Sequence, residues 1–375
     1  KEAQIMEILV LGGTGAIGAH LVSLLSNIGG HNLFVTTRRK MLNERNVTYL
    51  VGNAHDESFM SELLKRHYDA IVDFMSYKTS EFQHRYKKYL EATSQYVFLS
   101  SARVYADCGK SLITEKSPRL LDVCKDEAYL KTDEYALTKA RQENLLLSSN
   151  KNNWTIIRPY ITYSEKRLQL GVLEKEYWLY RALHGRTIVF SDDIADNTTT
   201  LTYGMDVSRG IAAILGKESA KGEAFHITGE NSLTWRDVLN VYLEVLNKKG
   251  IDPKVTFTKK SSRLKYPEAK GQVVYDRYFC RKFDNSKISQ YLDLNSFVNP
   301  KEGLKRCLET FIKNPVYTSL DWKEEALSDY YCREKAGKDE FLTKKDYLSY
   351  SIYRVFPFLI QGNVLKQKVK MFIKG

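Results

Sequence analysis

No stretch of this chain is apolar over the length a helical membrane span requires, and 27% of its residues are charged, so a soluble protein is expected. Cysteine is scarce: Cys108, Cys124, Cys280, Cys307 and Cys332 are scattered, odd in number and without a C-x-x-C pair. That spacing argues against both a disulfide framework and a zinc site. The seven histidines, at 20, 31, 55, 67, 84, 184 and 226, are equally dispersed, and no metal is expected. The opening residues Lys1–Met6 run straight into an apolar strand pattern, which predicts no cleavable leader and a cytoplasmic location. Acidic residues are in deficit, 45 against 57 basic ones, for a formal charge of +12. Because the basic residues are interspersed with acids along most of the chain, small anionic substrates are expected rather than nucleic acid.

What is present is enough chain, 375 residues with 43% apolar content, for a nucleotide-binding domain and a smaller lobe. Residues 7–11 read as a short strand, followed by Gly12-Gly13-Thr14-Gly15-Ala16-Ile17-Gly18 and a helical pattern from His20 to Leu25. Strand, glycine turn and helix in that order form a dinucleotide-binding unit. Glycines at 12, 15 and 18 permit a tight turn, close approach of a pyrophosphate and close helix packing. The second strand, 32–36, ends in Thr37-Arg38-Arg39-Lys40, with no carboxylate to hold a ribose 2'-hydroxyl. A guanidinium there suits a 2'-phosphate, so NADP(H) is favoured over NAD.

Strands at 47–51 and 70–74 continue the alternation of a doubly wound sheet. Tyr96–Tyr105 then reads as a buried strand carrying Ser100 and Ser101 to the carboxyl edge, where open α/β sheets place their ligands. Further on, Tyr135 and Lys139 stand four apart on a predicted helix and so share one face. An ammonium beside a phenol lowers the phenol's pKa toward that of a usable base. Such a pair is common by chance in a chain with 25 tyrosines. The order of glycine loop, Ser-Ser segment and Tyr-x-x-x-Lys helix is not.

These elements resemble the extended short-chain dehydrogenase/reductases, specifically the NAD(P)-dependent epimerase/dehydratase group acting on nucleotide sugars. The resemblance also takes in Thr155–Tyr163 with Arg158-Pro159-Tyr160, Thr199–Gly210 with Asp206-Val207, Gly222–Gly229, and Asp284-Asn285-Ser286-Lys287. It implies an α/β fold, a Rossmann doubly wound parallel sheet with a smaller α/β substrate lobe toward the C-terminus. The implied division is 1–165 for the nucleotide domain, returning around 200–228, with 166–199 and 229–320 as substrate lobe and 321–375 as a helical extension. By the same resemblance Gly12, Gly15, Ile17, Gly18, Thr37, Arg38, Arg39, Asn53, Ala54, Phe74, Met75, Ser76, Lys78, Tyr135, Lys139 and Pro159 face the cofactor. Ser101, Tyr135 and Lys139 are the implied catalytic residues, and Ser101, Arg103 and Tyr160 are the implied substrate contacts.

The resembling dehydratases carry an Asp-Glu pair after the catalytic hydroxyl, since elimination of water needs an extra acid and base. This chain has Ala102-Arg103 there, which disfavours a 4,6-dehydratase. An epimerase for glycan precursors, an NADP(H)-dependent ketoreductase or dehydrogenase, and a non-catalytic dinucleotide sensor stay open. The usual asparagine after the crossing strand appears as Ile161, and a diphosphate-gripping arginine falls near Thr199. Arg167, Arg186, Arg277 and Arg281 are substitutes, each read singly as a surface charge, and Arg103 is weighed as an anion contact against a structural ion pair. The charged insertion Asp107–Thr132 reads as a lid, and Cys124 as a small buried thiol rather than a nucleophile. The stretch Val364–Lys374 alternates lysines with apolar residues, readable as a peripheral membrane contact or as packing on a lobe or partner. A nucleotide-sugar substrate and a homodimer are expected.

Overall fold

The structure, a computed structural model, describes residues 5–261, 264 and 269–359. Lys1–Gln4 and the Val364–Lys374 stretch lie outside the described residues.

The chain divides into two compact units. The first comprises residues up to 164 with 198–233 and 279–303; the second comprises 165–197, 234–278 and 304 onward. In the first unit, β1 (Met6–Leu11), α1 (Gly18–Ile28), β2 (His31–Thr37), β3 (Val47–Val51), α2 (Glu57–Leu63), β4 (Ala70–Asp73), α3 (Thr79–Glu91) and β5 (Tyr96–Leu99) alternate strand and helix. Two single turns, α4 (Leu120–Val123) and α5 (Glu127–Leu130), precede the long α6 (Tyr135–Leu147), β6 (Trp154–Pro159) and β7 (Ile161–Tyr163). The sheet has seven parallel strands: Glu223–Ile227, then β6, β5, β4, β1, β2 and β3. This is the doubly wound Rossmann arrangement that the alternation predicted.

Both faces of the sheet are covered, which is why β1 reads as an unbroken apolar run rather than an alternating one. Ile8 and Val10 project into a core with Leu21, Val22 and Leu25 of α1 and with Val207, Ile211 and Ile214. Leu9 and Leu11, one residue out of phase, project into the opposite core with Phe82, Tyr86 and Tyr89 of α3. The segment predicted as one strand from 96 to 105 ends earlier. Pairing of β5 with β6 stops at Leu99 opposite Ile157, and Ser101 caps a 3-10 turn, Ala102–Val104.

Residues 279–303 depart from the expected division, which placed them in the substrate lobe. They belong to the first unit because their backbone and side chains complete it. Arg281 donates to the carbonyls of Ala106 and Tyr105 at 3.1 and 3.2 Å, and the Ile113 amide donates to the Lys282 carbonyl at 2.9 Å. The insertion 107–132 is thereby anchored at Ile113, which is fully buried.

The second unit is organised around the helix Lys175–Leu183 and the helix Trp235–Lys248, with Trp178 stacked on Tyr242 at 4.3 Å between ring centroids. A strand, Ile188–Ser191, pairs in parallel with Val255–Thr258. The helices Trp322–Cys332 and Lys344–Val355 belong to this unit and are fixed by buried charge. Arg181 donates to Glu325 at 3.1 Å, Asp329 at 2.7 Å and Glu334 at 3.0 Å, while Arg186 donates to Asp329 at 2.9 Å and Glu340 at 2.6 Å. Burial pushes the Glu325 carboxyl up to about 7. Removing one guanidinium strands the carboxylates it serves in low dielectric, a loss of about 3–5 kcal/mol. Arg181→Ala is expected to release the segment 320–359 to limited proteolysis while residues 5–164 stay protected, as peptide mapping would record.

Candidate active site

The loop after β1 is shaped by what its glycines exclude. Gly12 has φ +70, a left-handed conformation that side chains resist, and a Cβ on Gly13 would stand 2.7 Å from Val35 Cγ1 and 2.9 Å from Val10 Cγ1. A Cβ on Gly18 would stand 2.8 Å from Gly13 Cα, so α1 rests directly on the loop backbone. Gly13 was not singled out in the sequence, although its neighbours leave it less room than Gly15. Gly15 differs: a Cβ there would meet only the Gly12 carbonyl oxygen, at 3.5 Å. No side chain caps the N-terminus of α1 at Ile17, and the Ala19 amide donates to the Gly15 carbonyl at 3.0 Å, so the loop runs directly into the helix. A cradle of backbone and a helix N-terminus without a side-chain cap together fit a pyrophosphate.

The remaining cofactor candidates follow the strand ends. Arg38 and Arg39 are exposed just past β2, and Thr37 Oγ1 accepts from the Arg39 amide at 3.2 Å. Asn53 is exposed and Ala54 buried at the turn before α2, whose N-cap is Asp56. Phe74 and Met75 are half-buried after β4, with Ser76 and Lys78 exposed beside them. Pro159 is buried at the end of β6, and the buried Tyr160 packs its ring 5.3 Å from Phe283.

At the carboxyl end of β5 the structure brings Tyr135 and Lys139 of α6 to the Ser101 turn. Tyr135 is 43% exposed, while Lys139, one turn further along, is 3% exposed. The Lys139 ammonium donates to the Leu99 carbonyl at 2.7 Å and lies 4.8 Å from the Phe98 ring centroid and 6.0 Å from that of Tyr135. Burial pulls its pKa down to about 8, partly offset by the carboxylates of Asp73 and Glu143. Ser101 is buried, and its Oγ accepts from the Arg103 amide at 3.2 Å.

Arg103 carries the ion pair that the sequence left open. Its Nη2 donates to Glu134 Oε1 at 2.5 Å, and its guanidinium carbon stands 5.4 Å from the Tyr135 ring centroid. Glu134 is also the N-cap of α6, accepting from the Ala136 amide at 2.8 Å and the Tyr129 hydroxyl at 2.9 Å. Arg103 is thus tied to the residue that fixes where the helix bearing Tyr135 begins.

Two acids behind the site escaped the sequence reading. Asp73, fully buried at the end of β4, accepts from the Tyr96 hydroxyl at 2.7 Å, the Met75 amide at 2.9 Å and the Tyr77 hydroxyl at 3.3 Å. Burial raises its pKa despite those donors. Glu143, one turn past Lys139, accepts two hydrogen bonds from Arg158 at 2.8 and 2.7 Å, one from Arg119 at 3.1 Å and one from the Ser100 hydroxyl at 2.6 Å. The i, i+4, i+8 spacing of Tyr135, Lys139 and Glu143 was the available signal.

Three of the four arginines read as surface charges are buried instead. Arg186 belongs to the carboxylate cluster of the second unit, and Arg281 holds two carbonyls in the first. Arg277 pairs with Asp276 and donates to the Gly171 carbonyl at 3.0 Å. Arg167 pairs with Glu174 at 2.9 Å. A buried guanidinium must be compensated locally, and these contacts are that compensation. Cys124 is half-buried rather than buried.

The protonation of Lys139 gives a pH test that needs no substrate. Its folded pKa lies below that of a free lysine, so the ammonium is present below about pH 8 and lost above it. If that ammonium grips a nicotinamide ribose, dinucleotide affinity should weaken as pH rises through 8. In Lys139→Met it should be weaker throughout and lose that step, as read by fluorescence titration with the reduced dinucleotide.

Comparison with known proteins bears on the family and the fold. A family model described as "NAD dependent epimerase/dehydratase family" matches residues 8–228. A dTDP-glucose 4,6-dehydratase from Bacillus anthracis, solved with NAD, is similar with a TM-score of 0.62 and 18% identity, covering 82% of this chain and 97% of that one. A UDP-glucuronic acid 4-epimerase from Bacillus cereus, in complex with UDP-glucuronic acid and NAD, gives a TM-score of 0.61 and 19% identity, covering 82% and 99%. Among curated proteins, the chloroplast stem-loop binding protein of 41 kDa b from Arabidopsis thaliana is 28% identical over 246 residues, 61% of this chain. The match spans 60% of that relative's length.

Proposed function

Since the chain belongs to the NAD dependent epimerase/dehydratase family, we propose that it is a nucleotide-sugar epimerase of glycan precursor synthesis that works through a keto-sugar intermediate. The observation that carries this reading is the exposed Tyr135 phenol, set between the Arg103 guanidinium and the buried Lys139 ammonium. When bound, the dinucleotide supplies the acceptor and donor of hydride at its nicotinamide. Gly12, Gly15, Ile17 and Gly18 would hold its pyrophosphate, and Asn53, Ala54, Phe74, Met75, Ser76, Lys78 and Pro159 would line its course.

Tyr135 Oη takes the proton of the sugar hydroxyl as the carbon is oxidised and returns it on reduction. Two nearby cations favour the phenolate this requires. Lys139 serves while it is protonated, and Arg103 stays charged at every working pH. Ser101 Oγ holds the same sugar oxygen, and Tyr160 and Arg103 complete the proposed substrate contacts. Ala102-Arg103 supplies neither acid nor base for eliminating water, which favours epimerisation over dehydration. Turnover of a nucleotide sugar without net consumption of dinucleotide is the expected result, by NMR of the sugar anomeric region. Tyr135→Phe should lower kcat by at least about a hundredfold, within the range of general acid–base effects, and leave the dinucleotide Kd unchanged. Stoichiometric loss of the reduced dinucleotide would instead identify a ketoreductase.

For the cofactor we propose NADP(H), because β2 ends in exposed Arg38 and Arg39 with no carboxylate between Thr37 and Lys40. Calorimetry should give a lower Kd for NADP than for NAD. The double variant Arg38→Ala/Arg39→Ala should lose about tenfold or more toward NADP alone, consistent with the loss of charge-assisted hydrogen bonds. Equal affinities would refute the preference.

A further inference from the structure

Asp73 and Glu143, the two buried acids behind the site, are held in different ways. Glu143 accepts from two guanidiniums, those of Arg158 and Arg119. Asp73 accepts from neutral groups alone: the Met75 amide and the Tyr77 hydroxyl on Oδ1, at 2.9 and 3.3 Å, and the Tyr96 hydroxyl on Oδ2, at 2.7 Å. Donors on both oxygens favour the ionised carboxylate, and a carboxylate so completely buried needs a countercharge.

The register of the sheet shows where that charge is. Asp73 stands opposite Phe98 in the pairing of β4 with β5, and the Lys139 ammonium lies 4.8 Å from the Phe98 ring centroid. Tyr96 and Phe98, two apart on β5, stack on one face of the sheet with centroids 6.4 Å apart. The carboxylate bonded to Tyr96 and the ammonium over Phe98 therefore share that face, both withdrawn from water and little screened by it. The other ionisable groups around Lys139 are engaged elsewhere. Arg103 of the Ala102–Val104 turn pairs with Glu134, and Arg158 and Arg119 pair with Glu143 on the lysine's own helix. Tyr77, Tyr89 and Tyr96 are kept protonated by burial, and Tyr135 faces solvent. Asp73 also reaches the cofactor's course. The Met75 amide it accepts belongs to the turn Phe74–Ser76, and Met75 Sδ stands 3.1 Å from where a Cβ on Gly12 would be. Gln142 of α6 donates to the Tyr77 carbonyl at 2.8 Å and ties the lysine's helix to the same segment.

We propose that Asp73 is a positioning residue for the dinucleotide: its carboxylate keeps the Lys139 side chain charged at the nicotinamide ribose and seats the Phe74–Ser76 turn beside the glycine loop. The inference rests on the reading of Lys139 as the group that grips that ribose. Asp73 touches neither cofactor nor substrate and acts through the lysine and the turn. With Glu143 shared between two guanidiniums, Asp73 is the stronger of the two acids in holding the ammonium against the pull of burial.

The test reads Lys139 directly, by NMR of its Cε in the full chain carrying isotope-labelled lysine, with the resonance identified by its loss in Lys139→Met. The titration midpoint should lie at about 8 in the unaltered protein. In Asp73→Asn, which keeps the side chain's size and an acceptor for the Met75 amide, it should fall by at least about one pH unit, the effect of losing a nearby opposite charge. The step in dinucleotide affinity, followed by fluorescence titration, should move down with it. An unchanged midpoint in folded Asp73→Asn overturns the proposal. A midpoint that moves while dinucleotide affinity shows no step at any pH overturns it from the other side: the two residues are paired, but Lys139 does not hold the ribose. If Asp73→Asn does not fold, Lys139→Met in the same chain should restore the fold by removing the stranded ammonium. Failure to restore it assigns Asp73 to structure alone and also overturns the proposal.

Discussion

The constraint on which the nucleotide-binding unit depends is the burial of the Lys139 ammonium. Withdrawn from water, a charge of that size would cost several kcal/mol unless the protein replaced its hydration. The structure does so with one neutral contact and two charges at greater remove. The Leu99 carbonyl accepts directly, and Asp73 and Glu143 contribute through the field. Each of those acids is itself buried and must be held. Asp73 is held by two tyrosines and an amide, Glu143 by two arginines and a serine. The ends of β4, β5 and β6 and the inner face of α6 are therefore one electrostatic assembly with the lysine at its centre.

Much of this unit was legible in the sequence because its elements are signalled locally. An apolar run, a glycine turn and a helical stripe are properties of adjacent residues, so the first four strands were placed to within a residue at each end. Ser101, Tyr135 and Lys139 were legible for a similar reason: each sits at a fixed offset from the end of a strand or the start of a helix. Asp73 and Glu143 were not. The hydrogen-bond partners of Glu143 are 15 to 43 residues away in sequence and Tyr96 is 23 from Asp73, so apart from the helical spacing of Glu143 from Lys139 little local marks either acid as buried. The same blindness misjudged Arg186, Arg277 and Arg281. Composition assigns a lone arginine to the surface, and only the fold reveals the carboxylates and carbonyls that draw it inside.

The break at Leu99 shows a different limit. The hydrophobic pattern continues past it through Val104 and Tyr105, so the sequence implied a longer strand. The hydrogen bonds end first, because Ser101 turns its hydroxyl to the Arg103 amide and starts a 3-10 turn. That turn moves Arg103 out of the sheet and over the Tyr135 ring. Local side-chain-to-backbone bonding thus redirects a segment whose apolar pattern would otherwise extend the ladder.

The carboxylate cluster of the second unit is richer in negative than in positive charge: Glu325, Asp329, Glu334 and Glu340 face Arg181 and Arg186. With Glu325 raised to about 7, folding there captures a proton between the ordinary carboxylate range and neutrality. By linkage, this group's contribution to the stability of the second unit is complete below the ordinary carboxylate range and is lost progressively as the pH climbs from there through about 7. The helix Lys344–Val355 is anchored through Tyr350 on Asp329 of that same cluster, so whatever loosens the cluster loosens the helix's seat as well.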